Sequence, residues 1–222
     1  ERPTAARFCL QGPIQHRMQA NLDQWLLVAP QANPAMLEMF RDRDRSPRRD
    51  LVPWAGEFAG KYLTSAVLHY RLTRDGRLRV QINRFVDELI AVQDVDGYLG
   101  PHPKAERLTG MDSSGQGKLW DLWGHYHCML GLYLWHKEVG HGPSLAACLS
   151  AADCICGRLL DGAERVRDAG AEEMNMAIAH IMAILHQETG EQRYLRLVRD
   201  VEADFQVPPS GDYIRTALQG IP

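Results

Sequence analysis

The chain has no run of about 18 consecutive apolar residues of the kind that crosses a bilayer, and its start, Glu1 to Arg7, is not a charged segment leading into a hydrophobic one. No membrane span and no visible export signal are expected, and the location that follows is cytoplasmic. Positive charge is not in excess either: 25 Lys and Arg against 28 Asp and Glu give a formal net charge of −3. That balance argues against a nucleic-acid partner, whose footprint is a clustered positive surface. The one basic run, Arg41 to Arg49, is interleaved with Asp42 and Asp44 and followed by Asp50, and reads as a solvated loop. Valine- and isoleucine-rich alternation is missing, so no sheet is expected. The five cysteines, at positions 9, 128, 148, 154 and 156, follow no zinc-ligand spacing. Cys154 and Cys156 would point about 200° apart on a helix, which disfavours a shared metal. They read as buried thiols in a reducing compartment, with no metal site in this chain.

What the chain does have is a repeat. Three stretches place an amphipathic helix, a short polar turn and a returning helix in succession, with turns at Leu72 to Leu78, Val139 to Leu145 and Thr189 to Leu195. Gly140 and Gly190 suit the left-handed position that ends a helix, while Asp75 and Ser144 suit capping of the next one. The helix before each corner is apolar on one side (Phe58, Tyr62, Leu63, Ala66, Val67, Tyr70), as an inner helix requires. The helix after it alternates Leu78, Ile82, Phe85 and Leu89 with charged residues, as an outer one requires. The period exceeds that of tetratricopeptide or ankyrin repeats. The fold expected is all-α: antiparallel hairpins forming part of an (α/α)6 toroid. A further helix is expected over Ile14 to Val28, giving about seven, whereas a closed ring of six hairpins needs nearly twice as many. Residues 1–222 are therefore read as one domain, an open half ring whose exposed edge favours self-association.

In a ring of hairpins the segments leading into the inner helices line the cavity mouth, so polar and aromatic residues there are candidates for binding. Three such helix starts qualify: Trp54 and Glu57; Trp120, Trp123 and His125; and Glu172, Glu173 and Asn175. Tryptophan faces stack on sugar rings, while carboxylates, imidazoles and amides hydrogen-bond hydroxyls. Structural readings compete at each of them. Glu57 and Lys61 are spaced as an i,i+4 ion pair, Trp120 and Trp123 could be core, and Glu172 and Glu173 suit the first turn of a helix. His125 and His127 point about 200° apart on a helix, so at most one faces the cavity. Tyr98, in the run Asp96 to Pro101, either reaches the cavity rim or closes a helix-ending turn.

Four segments, Trp54 to Leu63, Gln93 to Gly100, Trp120 to Leu132 and Glu172 to Ala177 with the Thr189 to Leu195 corner, resemble in order the N-terminal half of glycoside hydrolase family 127, the β-L-arabinofuranosidase-like group with an (α/α)6 barrel. The resemblance implies a retaining hydrolase of arabinofuranose-like glycosides with a cysteine nucleophile, a glutamate acid/base and a zinc held by cysteines and a glutamate. It also places those catalytic and metal residues beyond Pro222, so this chain is expected to supply a sugar-binding half that is inactive alone. Cys128 lacks the family's neighbouring cysteine and does not replace the nucleophile. By the resemblance His125 points toward the sugar, with Glu57 and the Glu172–Glu173 pair near the cavity. Two other readings stay open: another α/α-toroid sugar enzyme, such as an epimerase or uronyl hydrolase, and a non-catalytic scaffold binding a carbohydrate or protein on its concave face.

Overall fold

The computed structural model describes residues 9–111, 119–160, 164–169, 172–206 and 213–220. Among them there is no β-strand, and three helical hairpins dominate. They are α4 (Glu57–Thr73) with α5 (Gly76–Ala91), α6 (Asp121–Val139) with α7 (Gly142–Leu159), and α9 (Ile178–Thr189) with α10 (Gln192–Asp204). Before them come α1 (Pro13–Asn21), a π turn (Leu22–Leu26), α2 (Ala29–Ala32) and α3 (Ala35–Arg41). A 3₁₀ turn (Val166–Ala169) and α8 (Glu172–Met176) lead into α9, and α11 (Tyr213–Leu218) ends the described chain.

The corners form for local reasons. Gly140 (φ 73°) and Gly190 (φ 76°) end their helices in the left-handed region, where a side chain would be strained. At the first corner Arg74 takes that conformation (φ 55°) without a glycine. Asp75 then caps α5, its carboxylate accepting the amides of Arg77 and Leu78 at 2.8 and 3.1 Å. Ser144 does not cap α7 as its position suggested. Its hydroxyl is buried against Nδ1 of His141 at 2.7 Å, and His141 occupies the N-cap. Glu191 caps α10 instead, accepting the Arg193 amide at 3.0 Å.

Helices α4, α6 and α9 stand side by side as the inner wall, with α5, α7 and α10 behind them. The wall is tightest between α4 and α6, and the cause is absent side chains. A Cβ on Gly60 would lie 2.1 Å from the backbone carbonyl carbon of His127, so only glycine lets the helices approach this closely. Leu63, Val67, Leu122, Met129 and Leu132 fill the seam, each fully buried and worth about 1.5–3 kcal/mol relative to exposure. Outside the wall, Leu78, Ile82, Phe85, Val86 and Leu89 of α5 bury the stripe that its periodicity predicted.

Two further features differ from the sequence reading. The segment after Pro34 forms α3, because Met36, Leu37, Met39 and Phe40 all bury against the core. The basic run is only partly solvated. Arg43 is drawn inward, donating to the carbonyls of Val92 and Gly100 at 3.0 and 3.1 Å, while Arg41 and Arg49 pair with Glu88, Glu38 and Asp42.

Candidate functional site

Helix α6 sends its polar residues to opposite sides. Asp121 and His125 point back into the layer between the helices and the long loop that follows α5. The Asp121 carboxylate accepts the Tyr98 hydroxyl at 3.0 Å and the Leu108 amide at 2.9 Å. Burial alone would raise its pKa, but the His125 and His102 rings and the Leu108 amide outweigh it and hold the carboxyl down at about 2. His125 accepts the Leu99 amide on Nε2 at 3.0 Å, which leaves the ring proton on Nδ1, 2.9 Å from the Asp121 carbonyl. Arg107 lies 4.4 Å from the Tyr98 ring centre and pairs with Asp94 at 2.7 Å, closing the loop over this network.

Three residues assigned to binding from the sequence are thereby buried as pins of the framework. Tyr98 and His125 have no exposed surface. Asn175 has none either: its carbonyl oxygen accepts the Trp123 amide at 3.1 Å, and its amino group donates to the carbonyls of Leu119 and Ala169 at 3.2 and 2.9 Å. A buried polar group needs its partners inside the protein, and these have found them, so none is turned toward a ligand in this structure. His125 thus stands on the opposite side of α6 from Trp123 and His127.

The wall itself is built by the other face of α6 with α4 and α9. Glu57 opens α4 and is nearly buried; one carboxylate oxygen accepts the Trp123 indole N–H and the other pairs with Lys61 at 2.8 Å. The Lys61 ammonium also lies 5.3 Å from the centre of the Trp123 ring. His127 meets the Trp123 ring edge to face at 4.3 Å and lies 4.9 Å from Tyr126. Tyr126 reaches α9, its hydroxyl 3.1 Å from Nδ1 of His180. The His127 Nε2 is buried and has no hydrogen-bond partner among the described residues. Burial, then the neighbouring Lys61 charge, pushes this imidazole down to about 4 against the opposing pull of Glu57. A neutral imidazole, a carboxylate, an ammonium and an indole face therefore converge, a set able to hydrogen-bond hydroxyls and stack on a ring.

Trp54 and Trp120 sit above this cluster at the helix starts, their ring centres 5.3 Å apart, and Trp54 stays 38% exposed. Glu172 and Glu173 open α8, but their side chains lie outside the described residues. His127, Tyr126 and His180 were missed as site residues. Helical spacing had shown that His125 and His127 face apart, but not which of them faces inward.

Among the described residues no three His, Cys, Asp or Glu side chains converge as a metal site. Cys128 lies buried in the α4–α6 seam near the Gly56 carbonyl, and burial pushes its thiol up to about 12. No described helix is long and apolar enough to cross a membrane.

Two solved structures share this architecture. One is a GH127 β-L-arabinofuranosidase from Geobacillus stearothermophilus T6, with TM-score 0.67 and 18% identity over 97% of this chain and 35% of that one. The other is a GH127 β-arabinofuranosidase, with TM-score 0.69 and 16% identity over 90% of this chain and 33% of that one. The chain thus spans about a third of the length of these proteins. No curated protein sequence matches it closely. The family model for the β-L-arabinofuranosidase GH127 catalytic domain matches residues 14–218, nearly the whole chain. An inner wall of three hairpins, a matching family model and the shared helical fold agree: the chain belongs to the β-L-arabinofuranosidase-like GH127 catalytic-domain family.

Proposed function

We propose that the concave wall around Glu57, Lys61, Trp123 and His127 is the sugar-binding side of a glycoside hydrolase acting on arabinofuranose-like glycosides. In this reading residues 1–222 form one unit of a barrel, and the group that attacks the anomeric carbon is supplied from outside them. One observation carries it: the buried His127 Nε2 has no hydrogen-bond partner among the described residues and stands beside the Trp123 indole and the Glu57 carboxylate, groups able to bind a hydroxyl. Glycoside hydrolysis needs two carboxyl-type groups about 5–10 Å apart across the bond that breaks. Glu57 supports binding better than acid/base work, because the Trp123 N–H and the Lys61 ammonium already hold its two oxygens.

The test is titration of the chain with methyl β-L-arabinofuranoside, read by tryptophan fluorescence, and incubation with an aryl β-L-arabinofuranoside with and without zinc and reductant. Saturable binding that is lost in His127→Ala, with no turnover, is the expected result. Absence of binding overturns the sugar-site reading. Turnover that disappears in Glu57→Gln overturns the assignment of chemistry to residues outside this chain.

A further inference from the structure

The outer helix α5 and the short helices α2 and α3 leave a groove of about 250 Å³ between them, lined by no residue of the sugar wall. Helix α3 lies here because Met36, Leu37, Met39 and Phe40 bury against the core. The apolar part of the groove is Met36, Leu37 and Phe85, with Pro34 beside them. Three charged side chains line the same space: Arg41 from the end of α3, and Arg84 and Glu88, one turn apart on α5. Arg41 Nη2 donates to one oxygen of the Glu88 carboxylate at 2.9 Å, and Arg84 Nε donates to the other at 3.0 Å.

The charges in this groove do not balance. Glu88 is the one carboxylate among the described residues that line it, so two guanidinium groups share a single negative charge. The terminal nitrogens of Arg84 and the Nη1 of Arg41 have no partner among the described residues. A guanidinium presents its N–H groups as a planar fork that matches a carboxylate, and one edge of the Arg84 fork is unused. Both arginine side chains are largely exposed, and ion pairs of that kind add little to stability. An apolar floor with a few convergent polar groups is the arrangement that small-molecule sites share, and the volume restricts the occupant to a small one.

We propose that this groove on the outer layer is a binding site for a small organic carboxylate, with its anionic end on the free guanidinium edges of Arg84 and Arg41 and its apolar body over Met36, Leu37 and Phe85. A neutral ligand leaves the excess positive charge uncompensated, and a bare inorganic anion leaves the apolar floor uncovered. Glu88 holds the two arginines and also competes with the incoming anion, so its charge sets the affinity. The inference stands apart from the sugar-wall reading, because the two sites have no residue in common.

The experiment is a ligand-observed NMR titration of the chain with benzoate, with acetate as the charge without the body and benzyl alcohol as the body without the charge. Wild type, Arg84→Ala, Arg41→Ala and Glu88→Gln are compared, with circular dichroism to check the helicity of each. Benzoate is expected to saturate and to bind more tightly than either control. Arg84→Ala should weaken it about tenfold, the loss of a charge-assisted contact, and Arg41→Ala should weaken it less. Glu88→Gln should tighten it about threefold, since the amide keeps the size of the side chain and removes the competing charge. A gain in affinity cannot come from poor folding, so this variant keeps the test decisive if an alanine variant is unstable. Benzoate that binds no better than both controls, binding untouched in both arginine variants, or weaker binding in Glu88→Gln overturns the site. Displacement of benzoate by methyl β-L-arabinofuranoside would place it on the sugar wall and overturn the groove, whereas failure of the sugar alone to bind leaves the groove standing.

Discussion

The Nε2 of His125 accepts the Leu99 amide at 3.0 Å, joining the inner helix α6 to the long loop that crosses behind it. Two residues later His127 leaves the same helix on the other side and keeps its Nε2 unpartnered among the described residues. Substitution should separate these roles. His125→Ala orphans the Leu99 amide and opens a buried space, and should cost about 2–4 kcal/mol. Asp121→Ala, which strands the Tyr98 hydroxyl and the Leu108 amide, should cost about 3–5 kcal/mol. His127→Gln should change stability much less and sugar affinity much more. Urea denaturation alongside ligand titration checks the split, and equal stability losses at positions 125 and 127 would contradict it.

Stability should also depend on pH through His127. Its folded pKa of about 4 lies below the ordinary 6.5, so between those values the unfolded chain takes up the proton first. The contribution is complete above about pH 6.5 and is lost as the pH falls toward 4. Asp121, held at about 2, loses its own contribution only below the ordinary carboxylate range near 3.8. Melting temperatures should therefore fall more steeply between pH 7 and 4 for the wild type than for His127→Gln, so that the two separate as the pH falls. Parallel curves across that window would show that the imidazole is not held neutral by its surroundings.

Glycine substitutions should have opposite signs at two positions. Gly60→Ala forces a Cβ into the His127 and Cys128 backbone, at 2.1 and 2.3 Å, and backbone cannot step aside as a side-chain end can. A loss of about 3 kcal/mol or more, or failure to fold, is expected. Gly157, on the exposed side of α7, has open space where its Cβ would be. Gly157→Ala should stabilise by about 0.5–1 kcal/mol through helix propensity. Thermal melting of the two variants measures both, and a tolerated Gly60→Ala would mean that α4 and α6 are not in close contact.

The isolated chain should self-associate. Phe58, Leu68 and Leu72 are exposed on one side of α4, with Lys61 and Ser65 between them, and Trp25 is exposed beside Phe58. Light scattering is expected to show species larger than the monomer, reduced by Leu68→Lys with Leu72→Lys. A monodisperse monomer that binds no hydrophobic dye would rule this out.

Much of the architecture was legible in the order of residues. Helical periodicity, the left-handed glycines at 140 and 190 and the Asp75 cap are local signals, and each has its physical cause within a few residues of itself. The same holds for the inner and outer assignment of α4 through α10, since the apolar stripe of an outer helix is written into its own spacing. Helix α3 escaped because a seven-residue helix between a proline break and a charged run has too few turns to show a period. The Ser144 assignment failed because a hydroxyl near a helix start has several possible partners, and His141 won the competition.

The site was legible only as a set of helix starts. Sequence determined that Trp54, Glu57, Trp120 and Trp123 begin inner helices and that His125 and His127 face apart. It did not determine which histidine faces the wall, because that depends on how α6 is rotated about its own axis. The rotation is set by distant partners: the cleft at Gly60 that receives the His127 backbone, and the Leu99 amide that captures His125 from 26 residues away. Tyr98 and Asn175 were likewise judged by type, whereas their roles follow from burial beside Asp121 and the Trp123 amide. A polar side chain becomes a pin or a ligand contact according to what tertiary packing places opposite it, and that choice is made by residues far away in the chain.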